Sequence, residues 1–153
     1  MKASFHPLDN HGGHVLPEAE IQFLNLGDSW HQDERGFVYF PFQNLPASLP
    51  LTEMCSSCHI ISIEPGHLRG QHQHPGKTEW LFLVHGTGQL FWRTGDGQIR
   101  QRLISDIQTL LVIPPGIPHT LRNEGSGPLY LLAWRAALGS GGDEPDTVPV
   151  PLI

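Results

Sequence analysis

Short apolar runs separated by glycine, proline and polar turns follow one another along most of the chain. "IQFLNL" (21–26) alternates apolar and polar positions and predicts a first strand; the aromatic and β-branched "GFVYFPF" (36–42) predicts a second. The proline-containing stretch 44–50 reads as a loop, and "CHIISIEPG" then predicts a strand stopped by Pro65 and Gly66. Further strands come at short, regular spacing: "HLRGQHQH", "EWLFLVHG", "GQLFWRT", "QIRQRLI", "TLLVIPPG", "HTLRNEG" and "PLYLLAWRA". "TGDG" (94–97) between two of them is a hairpin turn, with Asp96–Gly97 supplying the positive φ it needs. No window of eleven or more residues carries a helical stripe. The fold class is therefore all-β, a small antiparallel β-barrel over residues 20–138. Residues 1–19 form an arm rich in Pro, Gly and His. The Gly-, Pro- and acid-rich 139–153 form a flexible tail, whose last apolar residues could extend a neighbour's sheet edge.

Composition supports this. The 153 residues suit one domain, and 17 Gly and 14 Pro with only 16% charged residues fit strands cut by turns better than long helices. Nine Lys and Arg against 15 Asp and Glu give a net charge of −6, which disfavours nucleic acid as a partner, because phosphate binding needs clustered cations. A small anionic substrate needs only one or two placed arginines. No stretch is apolar enough for a membrane span, and the first residues lack the apolar core of a signal peptide, so a cytoplasmic protein with reduced cysteines is expected. "CSSCH" (55–59) matches the haem-attachment pattern, but it runs into a predicted strand, where side chains three apart face opposite ways. It reads as two ordinary, partly buried cysteines.

The histidines change the picture more. His72 and His74 are two apart on a predicted strand and share a face. "PGK" turns the chain, and Glu79 opens the next strand, able to aim at the same point. Two imidazoles and a carboxylate on adjacent antiparallel strands make three ligands converging on one ion. His119 is a fourth candidate, starting a strand after a turn stiffened by Pro114, Pro115, Gly116 and Pro118. If Glu79 faces inward, so do Leu81 and Leu83, while Trp80, Phe82 and Val84 face outward. Three large apolar side chains on an outer face require a second layer, from the N-terminal strands or from another subunit.

This constellation resembles the cupins. Gly66, His72, His74, Glu79 and Gly86 fit their first motif throughout; Pro114, Gly116, His119 and Asn123 fit the second, whose leading glycine falls on Gln108. The resemblance covers about residues 60–134. It implies a double-stranded β-helix, or jelly-roll, in which His72, His74, Glu79 and His119 hold one divalent metal: Zn, Fe, Mn, Ni or Co by donor softness. It also implies a homodimer paired through the outer sheet.

"PGHLRGQHQHPGKTE" and "DERGF" (33–37) resemble, more narrowly, segments of cupins that epimerise or isomerise nucleotide-linked keto-sugars. That implies proton abstraction beside a ketone, with Arg69 as a substrate-binding contact to phosphate. By strand parity Arg69 faces away from His72 and His74 unless Gly70 makes a bulge. His67 and His85 flank the site in sequence as possible bases, Lys77 lies in the turn, and no acid/base pair is evident. The same ligands would serve an iron-dependent dioxygenase, and a non-catalytic barrel that binds a small molecule or sugar needs no base.

Overall fold

The computed structural model describes residues 20–25, 30–40, 42–43, 50–105, 109–138 and 144–153. The arm 1–19, most of the loop 44–50, Gln108 and the first part of the tail lie outside these. The strands run β1 (Gln22–Asn25), β2 (Trp30–Asp33), β3 (Gly36–Tyr39), β4 (His59–Ile63), β5 (Leu68–Gln73), β6 (Thr78–His85), β7 (Gly88–Arg93), β8 (Ile99–Ile104), β9 (Thr109–Ile113), β10 (His119–Asn123), β11 (Leu129–Ala136) and β12 (Val148–Pro149), with one helix, α1 (Leu51–Ser57). They build two five-stranded sheets, β1-β9-β6-β11-β4 and β12-β5-β10-β7-β8, and a separate β2-β3 hairpin. All pairings are antiparallel.

Alternation places the core. Ile63, Leu81, Leu83, Leu111, Ile113, Leu129, Leu131 and Ala133 of the first sheet meet Leu90, Ile104 and Leu121 of the second between the two layers, as a jelly-roll requires. Leu81 and Leu83 thus face in. Trp80, Phe82 and Val84 face the other way, into a second cluster with Met54, Leu110 and Trp134. The covering layer comes from this chain. Tyr39 stacks on Phe82 with ring centroids 3.9 Å apart, Phe42 packs on Trp134 at 4.9 Å, and Met54 of α1 is fully buried. Trp80 and Phe82 are 4% and 2% exposed in the single chain, so no second subunit is needed to cover that face.

Three local expectations are corrected. The strand predicted from Cys58 begins at His59, and Cys55 sits in α1, with Cys58 capping its end through an N–H···O bond to Cys55 of 3.3 Å. Both cysteines are exposed rather than partly buried, because α1 turns only Met54 inward. The described tail, 144–153, extends the chain's own sheet rather than a neighbour's: Val148 and Pro149 pair with Gln73 and His72 of β5.

Candidate metal centre

β5 carries a bulge that decides which side chains enter the barrel. His119 of β10 lies opposite His72, but Thr120 lies opposite Gly70, so Gln71 is an extra residue. Gly70 has φ 108° and Gln71 φ 59°. A Cβ on Gly70 would come within 2.8 Å of the His119 carbonyl oxygen, which is why the smallest residue stands there. Beyond the bulge Arg69 pairs with Leu121, an inward residue, and cross-strand partners share a face. Arg69 therefore faces inward with His72 although the two are three positions apart.

The structure brings His72, His74, Glu79 and His119 together, with one donor atom of each within 4.8 Å of the others. Three are buried and His72 is partly so. The turn before β10 places His119, with the Gly116 N–H donating to the His74 carbonyl at 2.9 Å. Ring orientation follows from the outer nitrogens. His119 Nδ1 lies 2.9 Å from the Ile117 carbonyl and His74 Nδ1 2.6 Å from that of Asp146. Carbonyls only accept, so both Nδ1 atoms carry a proton and both rings turn Nε2 to the centre. There His119 Nε2 faces Glu79 Oε2 at 2.9 Å, and His74 Nε2 faces Oε1 at 3.5 Å. Two imidazole nitrogens facing one buried carboxylate are an arrangement that a bound cation would satisfy, and among the described residues His74 Nε2 and Glu79 Oε2 have no hydrogen-bond partner. Three imidazoles and a carboxylate fit a divalent ion of borderline softness.

Electrostatics agree. Burial would raise the Glu79 pKa, but interaction with the facing His119 and His74 rings outweighs it and holds the carboxyl well below its usual range. Burial, reinforced by His119 and His74, lowers His72 to about 4, so its ring is neutral at pH 7.

The cluster opens on a cavity of about 650 Å³ between the two sheets, lined also by His59, Arg69 and Arg135. Arg69 bridges the layers, its Nε–H donating to the Ser62 carbonyl at 2.9 Å. Arg135 pairs with Glu79 across β11 and β6 and donates from Nη1 to Asp146 Oδ2 at 2.9 Å, while its buried Nε–H has no partner. His59 Nδ1 lies 2.7 Å from the Ser57 carbonyl, which leaves its Nε2 free to accept a proton. Neither Arg135 nor His59 was singled out from sequence. Each had one signal, since Arg135 is in phase with Leu131 and Ala133, and His59 with Ile61 and Ile63. His67 and His85 are exposed and do not line the cavity. Lys77 is ion-paired with Asp146 at 2.8 Å. Asp33 and Arg35 pair with each other in the β2-β3 turn, apart from the cavity. Asn123 is structural, its Nδ2 donating to the Ile63 and Gly127 carbonyls at 2.7 and 2.8 Å.

Known proteins share this fold. The chain is 32% identical over 92 residues, 60% of its length, to the rhicadhesin receptor of Pisum sativum, of which it spans 40%. It superposes with a TM-score of 0.54 and 24% identity on the capsular polysaccharide assembling protein CapF of Staphylococcus aureus, covering 62% of this chain and 28% of that one. QdtA, a sugar 3,4-ketoisomerase of Thermoanaerobacterium thermosaccharolyticum solved with TDP, matches over 84% of this chain and 87% of its own at TM-score 0.64 and 16% identity. The barrel is cupin-like, as the motifs implied. Residues 31–148, which contain all four clustered side chains, match the polysaccharide biosynthesis C-terminal domain, and the chain belongs to that family.

Proposed function

We propose that this protein is a metal-dependent enzyme that epimerises or isomerises a nucleotide-linked keto-sugar by moving a proton beside its ketone. The observation that carries the reading is one cavity holding a His₃Glu donor set, two guanidinium groups and a further imidazole. A divalent ion bound by His72, His74, Glu79 and His119 would supply Lewis-acid polarisation of a substrate carbonyl. Arg69, fixed through Nε, keeps its remaining N–H groups for a phosphate, and Arg135 offers its unpartnered Nε–H deeper in the cavity. His59 presents a bare Nε2 and is the base the sequence did not name. A 650 Å³ cavity suits a ligand of this size. The fold neighbours add support, since a QdtA variant was solved with TDP-4-keto-6-deoxyglucose and CapF is named for capsular polysaccharide assembly.

The test is incubation of metal-loaded protein with a TDP-linked 4-keto-sugar in D₂O, followed by proton NMR. Deuterium should enter the carbon beside the ketone, and His59→Asn should slow that entry by at least about a hundredfold. Full binding of the nucleotide sugar with no deuterium entry would refute the catalytic reading. That result would favour a non-catalytic sugar-binding barrel, the reading that the receptor name of the pea relative supports.

A further inference from the structure

We propose that Asp146 is a positioning residue for the metal cluster: its backbone carbonyl fixes the His74 ring and its carboxylate latches that carbonyl in place. The proposal rests on reading His74 as a metal ligand. An imidazole that binds metal through Nε2 must carry its proton on Nδ1, and an acceptor there sets both tautomer and ring angle. His119 has such an acceptor within its own turn, the carbonyl of Ile117 two residues earlier. His74 has none nearby in sequence. Its acceptor is the Asp146 carbonyl, 72 residues further along, at 2.6 Å. Thr147 Oγ1 and Arg135 Nη1 lie farther off, each at 3.3 Å.

A carbonyl from so distant a segment holds a ring only if the segment itself is held. The Asp146 carboxylate takes Lys77 Nζ at 2.8 Å on one oxygen and Arg135 Nη1 at 2.9 Å on the other. Lys77 belongs to the turn between His74 and Glu79, and Arg135 sits directly opposite Glu79. One cation thus comes from the turn that joins two cluster residues and the other from the strand paired with Glu79. Downstream, the Val150 N–H donates to the Gln71 carbonyl at 2.7 Å and the Arg93 guanidinium to the Pro151 carbonyl at 3.1 Å, so the strap is fastened on both sides of the cluster. Asp146 is half exposed, and an aspartate there has no core to fill; its work is to hold the main chain over a ring that is 3% exposed.

Chelator-stripped full-length protein is titrated with Co²⁺ and followed by its visible absorption, with NMR of ¹⁵N-histidine protein for the His74 tautomer. Asp146→Ala should weaken Co²⁺ binding about tenfold and alter the absorption band. In the metal-free protein it should also replace a single Nδ1–H form of His74 by a mixture. Asp146→Asn, which keeps one acceptor, should fall between, and Asp96→Asn, an equal charge change on the β7-β8 turn, should match wild type. If Asp146→Ala does not fold, Asp146→Asn decides by the same measures. Wild-type affinity, spectrum and tautomer in a folded Asp146 variant, with His74→Ala abolishing binding, would overturn the proposal and leave the metal reading standing. A wild-type protein that binds no Co²⁺ would overturn both.

Discussion

Glu79 sets the charge balance of the cluster, because it alone of the four is an anion at neutral pH. Glu79→Gln keeps the shape and removes that charge. Metal carried through purification, measured by elemental analysis, should fall at least about tenfold, and unchanged stoichiometry would count against the site. His72 answers to acid. Its folded pKa of about 4 lies below the ordinary 6.5, so the unfolded chain takes up the proton first as pH falls. Metal-free protein should therefore lose stability between pH 6.5 and about 4, seen as a falling urea midpoint, and His72→Asn should flatten that limb. Glu79, depressed below its ordinary 4.5, contributes stability above that pH which is lost on further acidification. At this scale the cluster was legible because spacing survives any arrangement of strands: two residues apart means one face. Arg135 and His59 were not, since their alternation says "inward" only once the partner sheets are known.

Among the elements, β5 and α1 depart most from a regular pattern. A methyl on Gly70 would meet the His119 carbonyl from a backbone angle that side chains rarely adopt. Gly70→Ala should cost about 2 kcal/mol in denaturant unfolding and displace the strand that carries Arg69 and His72. The bulge was foreseeable only as a condition, from the glycine and the conflict between Arg69 and His72. The helix was not foreseeable. Seven residues make fewer than two turns, too few to show a period, and a helix that short depends on packing. Met54 is the side chain it buries, so Met54→Ala should lower stability by about 3 kcal/mol in the same assay.

For the whole molecule, the cluster joins strands of both sheets, β5 and β10 of one and β6 of the other. A ligand that ties the two layers stabilises the fold by mass action, about 2.7 kcal/mol at a hundredfold excess over its dissociation constant. Stripping the metal with a chelator should lower Tm by about 5–10 °C, recovered on readdition, by scanning calorimetry. The fold class was readable from strand spacing, but the strand order was not, because the pairings other than the β2-β3 and β7-β8 hairpins join segments far apart in sequence. The double covering of β6 was half readable: its outer residues announced a layer without saying whose. The bulge, finally, makes a counting rule. With Gln71 inserted, an arginine at an odd distance before the first histidine reaches the cavity. Remove that one residue and the two histidines still face the cluster while Arg69 swings to the outside. A one-residue deletion would thus separate the proposed metal site from the proposed anion contact, in a single strand.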